Sequence, residues 1–327
     1  MHTLQGIYHW SRHPLHALLL RLAATALVFT GLYLQLATVD FPTDWALPAL
    51  KPGLGVVLLL VATAVNYSLE SLKWQTAFQG LEHAAPSFSV AYRAVLTGQA
   101  LGIFTPNRSG DFLGRILHLP KSTYRTALAA TGLARWAQLL ATLLGGAVGF
   151  LVLGLATPGV PAPSTTLLKV ALPAGVFLFA CFALLLFYAK PTLQFLHRLL
   201  SGLGLYRRMN LPMERVQARK LLQLSALAML RYVVFLLQLG LLFALLGYPL
   251  AAAELVVFTG LLFFLKSMVP SFTLAELGVR ESVALWVGSF LLLPPGVVLS
   301  VSLGLFCFNL LLPSLLGSVL LWRKPRR

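Results

Sequence analysis

GIFTPNRSGDFLGR, residues 102–115, is the stretch on which the reading of the fold turns. It lies inside apolar sequence, yet it carries Pro106, three glycines, Arg108, Asp111 and Arg115. A plain spanning helix would carry none of these. Ionisable groups are costly in a bilayer and mark a pathway or a binding site. Proline and glycine beside them break the helix, which is tolerated only where protein or water surrounds the freed backbone. The second half holds a counterpart, VPSFTLAELGVRES, residues 269–282, with Pro270, Glu276, Gly278, Arg280 and Glu281. Interrupted apolar segments in corresponding halves point to a transport site. We therefore expect helix breaks at Pro106 with Gly110, and at Pro270 with Gly278, inside the membrane.

The rest of the chain supports a membrane setting. Of 327 residues 58% are hydrophobic and 10% charged, and the mean hydropathy is +0.83. Soluble domains carry about 25% charged residues. The net charge of +16 does not call for nucleic acid. The basic residues gather at the edges of apolar runs, where they orient the chain and meet anionic lipid headgroups. Cys181 and Cys307 lie in separate apolar runs and read as small hydrophobes rather than a disulfide or a metal pair. His9, His13 and His16 are close together, but Pro14 interrupts their helical spacing and no carboxylate is near, so no metal is expected. No cofactor or catalytic motif is readable: HExxH, a Walker loop, GxSxG and CxxC are all absent.

A spanning helix needs about 20 mainly apolar residues, and the candidates are Leu18–Leu36, Leu54–Leu72, Ala127–Leu155, Leu168–Ala189, Leu222–Leu246, Ala253–Met268, Val279–Leu293 and Val297–Leu321. The first reads as a retained span rather than a signal peptide. Phe88 to Thr126, interrupted at Pro106, reads as a hairpin that enters and leaves on one side. The expected fold is one all-α polytopic membrane domain over residues 1–327. It has about eight spanning helices plus re-entrant or broken ones, and paired motifs that fit an inverted repeat. The loop from Lys190 to Lys220 and the tail with Arg323, Lys324, Arg326 and Arg327 are strongly basic. Both should be cytoplasmic, together with the N-terminus.

Five acids lie in or beside apolar runs: Glu70, Asp111, Glu254, Glu276 and Glu281. Glu254 begins a helix, where a carboxylate suits the dipole. Glu70 and Lys73 are three apart and share a helix face. They mark either a helix end at the cytoplasmic surface, with Trp74 as an interfacial anchor, or the wall of a headgroup cavity. Arg108, Asp111 and Arg115 have spacings of three and four, which stacks them on one face if helix resumes after Pro106. Two guanidinium groups around one carboxylate leave net positive charge, suited to a phosphate oxyanion. Glu276 and Arg280 are four apart in the order favourable for a pair. Glu281 is then left to meet Arg108 or Arg115 across the interface, or a cationic headgroup.

At these motifs the chain resembles the lysylphosphatidylglycerol synthase transmembrane region. Pro106 through Asp111, with Arg115 following, is similar to that family's Pro-Gly-Arg-x-Gly-Glu motif, with Asn107 in place of a glycine and Asp111 in place of a glutamate. Pro270 followed by Gly278 through Glu281 is similar to its second motif, with Glu276 where a glycine is common. Asn66, Glu70, Lys73 and Trp74 also resemble the family. The resemblance implies a stand-alone flippase-like protein of the bacterial inner membrane that moves a phospholipid or lipid-linked substrate, with the two motifs meeting near mid-membrane. Two other function classes stay open: a membrane enzyme or enzyme accessory acting on such lipids, and a non-catalytic scaffold recruiting a partner through its basic loop. On the transport reading, Arg108 and Arg115 hold the phosphate, while Asp111 and Glu281 limit their net charge.

Overall fold

The computed structural model describes residues 51–82, 84–103, 105, 108–155, 165–188, 191, 216–269 and 273–322. The first candidate span, most of the basic loop, the basic tail, Pro106 and Pro270 lie outside the described residues. All regular structure among the described residues is helical.

α1 (Pro52–Leu81) opens with proline in its first turn, where the missing N–H costs nothing. At 30 residues it is about 45 Å long, more than a bilayer core requires. Its first half exposes Leu54, Val57, Leu58, Val61 and Val65, an apolar face suited to lipid. Its second half turns inward, burying Asn66, Tyr67, Glu70, Lys73 and Trp74. Trp74 is not the interfacial anchor expected. It is fully buried and donates to Thr131 Oγ1 at 3.0 Å, because the helix continues inside the bundle to Leu81.

α2 (Phe88–Gly102) and α3 (Gly110–Ile116) form the expected hairpin, broken between Gly102 and Gly110. The two helices cross with almost no space. A side chain on Gly114 would collide with the Gly98 backbone, and Gly114 O accepts Thr97 Oγ1 at 3.0 Å. Glycine is required at this crossing for close approach, the usual device of membrane helix pairs.

A 3-10 turn, Lys121–Thr123, leads into α4 (Tyr124–Gly154), which packs against α5 (Thr165–Phe187) and α6 (Ala218–Leu245). Gly247, at φ 78°, closes α6 in the left-handed conformation that glycine adopts freely. α7 (Ala252–Met268) begins as expected: Glu254 accepts the Ala251 N–H at 2.8 Å. Gly260 of α7 meets Gly145 and Gly149 of α4 backbone to backbone. α8 (Thr273–Phe290) starts earlier than the apolar run suggested and carries the second motif, with Gly278 buried. α7 ends at Met268 and α8 starts at Thr273, so the chain breaks where the second motif begins. At 17 residues, α7 is about 26 Å long, at the lower limit of a span. α9 (Pro295–Phe306) passes through a π turn, Cys307–Leu311, into α10 (Leu312–Trp322). Among the described residues five stretches are long and apolar enough to cross a membrane: Pro52–Leu81, Lys121–Gly154, Lys169–Phe187, Ala218–Leu245 and Pro295–Leu321. Cys307 is exposed on an apolar helix and Cys181 half-buried; both are free thiols.

Two apolar clusters hold the bundle. One joins the far end of α1, with Trp74 and Phe78, to α2, α4 and the start of α6. The other joins the end of α6, with Leu239 and Phe243, to α7, α8 and α9. Along α6, Arg231 falls between the residues given to each. On α1 and α4, Glu70, Lys73, Arg135 and Gln138 fall among the positions of the first cluster, so polar side chains meet partway along the bundle amid its apolar packing.

Candidate functional site

Helical spacing gathers this polar layer. Asn66, Glu70 and Lys73 are four and three apart, so they share the inner face of α1. Opposite them stand Arg135 and Gln138 on α4, Arg231 on α6, and Asp111 and Arg115 on α3.

Glu70 is the centre. Its Oε2 pairs with Lys73 Nζ at 2.7 Å and with Arg231 Nη1 at 3.0 Å, while Oε1 pairs with Arg115 Nη2 at 3.0 Å. Asp111 takes Arg115 Nε at 2.7 Å on Oδ1, and Arg115 Nη2 and Arg135 Nη2, each at 3.1 Å, on Oδ2. Gln138 Oε1 accepts from Lys73 Nζ at 3.0 Å and Arg231 Nη1 at 3.1 Å. The cluster thus ties α1, α3, α4 and α6 together. Charges buried this deeply persist only when paired and hydrogen-bonded.

Behind Arg231 runs a chain of amides. Arg231 Nε donates to Asn66 Oδ1 at 2.5 Å, and Asn66 Nδ2 donates to Asn309 Oδ1 at 2.9 Å. Asn309 Nδ2 donates to Gln238 Oε1 at 3.0 Å, and Gln238 Nε2 donates to Thr63 Oγ1 at 3.1 Å. The π turn makes the far end possible. It interrupts the helical hydrogen-bond ladder, and Asn309 O accepts the Tyr67 hydroxyl at 2.7 Å.

Two cavities open on this network. The first, of about 160 Å³, is lined by Glu70, Lys73, Arg108, Asp111, Arg115, Arg135 and Arg231 among others. Among the described residues five cations face two carboxylates there. The second, of about 240 Å³, reaches Arg280, Lys266 and the aromatic side chains of Tyr232, Phe235 and Phe263. Tyr67, Gln99, Arg108, Gln138 and Arg231 line both, so the cavities adjoin. Arg108 from the first motif and Arg280 from the second line one wall system.

Several expectations change in detail. Arg108 does not stack with Asp111 and Arg115 on a helix, because α3 begins only at Gly110. Arg108 sits before it at φ 55°, a left-handed conformation uncommon outside glycine, and its carbonyl accepts Arg135 Nη2 at 2.9 Å. Arg115 lines the cavity with its guanidinium already bonded to Asp111 through Nε and to Glu70 through Nη2, while Nη1 makes no hydrogen bond. Glu281 does not meet Arg108 or Arg115. It pairs at 2.5 Å with its neighbour Arg280, and Ser302 Oγ bridges to both within 3.3 Å. Arg280 also lies over the Phe306 ring at 5.1 Å, which fixes its side chain toward α9. The Glu276 side chain, and with it the expected pair to Arg280, lies outside the described residues. Glu70 and Lys73 line the cavity rather than ending a helix at a surface.

Sequence reasoning missed Arg135, Gln138, Arg231, Gln238 and Asn309. Arg135 and Arg231 stand inside the apolar runs 127–155 and 222–246. The rule that singled out the acids, that an ionisable group inside a span is functional by default, applies equally to these cations.

The family model described as "Lysylphosphatidylglycerol synthase TM region" matches residues 15–317, and the chain belongs to that family. It is a multi-pass membrane protein. Comparison with curated proteins and with solved structures returned no match.

Proposed function

We propose that this chain moves a phosphate-bearing lipid between the leaflets of the bacterial inner membrane. The observation that carries the reading is the cation-rich cavity set amid the apolar packing of the bundle. Low-dielectric surroundings raise the cost of uncompensated positive charge. An anionic headgroup relieves that cost while its acyl chains stay in lipid. Guanidinium forks suit phosphate oxygens, and Arg135, partly exposed to the cavity, is the best placed of them.

A transporter accounts for the carboxylates better than an enzyme does. Glu70 is held by three cations and Asp111 by two, so neither stands ready as a general base. The test is a leaflet-resolved assay in vesicles holding the purified protein. Fluorescent phospholipid in the inner leaflet should reach an external quencher much faster than in protein-free vesicles. Equal rates with folded protein would exclude translocation of that lipid.

The lysine and arginine bias places the loop 190–220 and both termini on the cytoplasmic side. A single cysteine at position 205, with Cys181 and Cys307 replaced, should resist an impermeant maleimide applied to intact cells. Ready labelling there would invert the map.

A further inference from the structure

We infer that Gln99 selects the headgroup, and that what it selects is uncharged and bears hydroxyl groups, as a glycerol or a sugar does. The inference rests on the transport reading and deepens it, by naming what the phosphate carries. Its first support is the state of Gln99. This side chain of α2 lines both cavities, so a headgroup that extends from one into the other passes it. Its neighbours in the shared wall are committed. Gln138 Oε1 accepts from Lys73 and Arg231, the Tyr67 hydroxyl donates to Asn309 O, and Arg231 holds Glu70 and Asn66. Gln99 Nε2 is buried and makes no hydrogen bond. An amide left in this state costs free energy, and native proteins keep few of them. Turning toward a ligand breaks no bond of that nitrogen and supplies the one it lacks. A primary amide both donates and accepts, and a hydroxyl group answers both.

The second support is what surrounds that amide. Among the described residues the second cavity is lined by no carboxylate. Glu70 and Glu281 are engaged with Arg231 and Arg280, two guanidinium groups of its wall. An ammonium group entering there would give up its hydration with no anion free to meet it, which is costly. A hydroxyl group finds neutral partners instead. Thr142 and Ser267 of the lining donate to Gln138 O and Phe264 O, which leaves their own oxygens as acceptors. Tyr232, Phe235 and Phe263 pack together in the same wall and offer apolar surface to the C–H face of a polyol. The chamber thus discriminates by rejecting an amine as well as by accepting a hydroxyl.

The experiment measures binding of four dioctanoyl lipids to the purified protein in detergent, read from the rise in melting temperature with lipid concentration. The probes are phosphatidylglycerol, phosphatidylinositol, phosphatidylmethanol and phosphatidylethanolamine. Phosphatidylmethanol carries the same singly charged phosphodiester without a hydroxyl group, so charge does not account for a difference from the first two. Phosphatidylglycerol or phosphatidylinositol should bind about threefold to tenfold more tightly than phosphatidylmethanol, the reach of one neutral hydrogen bond. Phosphatidylethanolamine should bind most weakly. The tighter of the first two tells an open-chain polyol from a ring. Gln99→Leu should bring the ratio to phosphatidylmethanol close to one, in a protein that melts no lower than the wild type without lipid, because Nε2 has no bond to lose. A purely structural Gln99 would instead lower the melting temperature and leave the ratio. Equal or absent binding of the two polyol lipids and phosphatidylmethanol, tightest binding of phosphatidylethanolamine, or a ratio that survives Gln99→Leu overturns the inference. Translocation in the vesicle assay would stand in that case, so failure here is separate from failure of the transport reading.

Discussion

Glu70→Gln is expected to destabilise the protein by about 3–5 kcal/mol, the usual cost of breaking a buried ion pair from one side. The carboxylate holds Lys73, Arg115 and Arg231 within 3.0 Å. Glutamine keeps the shape but removes the charge that pairs Lys73, Arg115 and Arg231, of which Arg115 alone keeps an ion pair to Asp111. Folded domains hold only about 5–15 kcal/mol in all, so the variant should melt far below the wild type in detergent. Removing a cation together with the acid should restore part of the loss. Glu70→Gln with Lys73→Met is therefore expected to melt between the two, and the size of the recovery measures the coupling. A Glu70→Gln protein that melts with the wild type would show that the cluster does not hold the helices together.

The same cluster shows what could be read from sequence and what could not. α1, α4, α5, α6 and the α9–α10 passage followed from apolar runs of spanning length, because helix formation in lipid satisfies every backbone group internally. Their ends were misplaced wherever charge was paired inside the protein. α1 continues to Leu81 because Glu70 and Lys73 neutralise each other and face inward. A hydropathy reading treats Lys73 as a boundary. The break before Gly110 and the one ahead of Thr273 fall in the two motifs as expected, but Gly278 lies inside α8 and breaks nothing, and the turn at Arg108 was not legible. Its left-handed backbone is fixed by contacts from α4, such as Arg135 to the Arg108 carbonyl, and not by its own residue type.

Pairing across the bundle lay further out of reach. Asn66 meets Asn309 at the opposite end of the chain, and the meeting depends on a π turn that no composition signal marks. The partners of Arg115 were half legible for the same reason. Spacing paired it with Asp111 on one helix face, but only the fold shows that Glu70 also reaches its guanidinium. Stacking on a helix is local information, and a partner from another helix is tertiary.

That distinction decides which arginine tests transport. Arg115→Ala is a poor test. Its side chain is 5% exposed, and its removal leaves Asp111 and Glu70 short of a partner, so folding should fail first. The Arg135 side chain is 39% exposed, with a 3.1 Å contact to Asp111, a 2.9 Å hydrogen bond to the Arg108 carbonyl and a Phe112 ring 4.3 Å away. Pairs that open to solvent contribute about 0–1 kcal/mol, so Arg135→Ala should fold and melt close to the wild type. Its loss to transport should be much larger. A charge-assisted hydrogen bond to phosphate is worth about 1.5–3 kcal/mol, and about 1.4 kcal/mol is a tenfold change. Translocation should therefore fall roughly tenfold to a hundredfold. Arg135→Lys should lie between, since an ammonium supplies the charge without the planar fork. A well-folded Arg135→Ala protein that moves lipid at the wild-type rate would mean that the headgroup does not touch this chamber, and the cation excess would then need a purely structural cause.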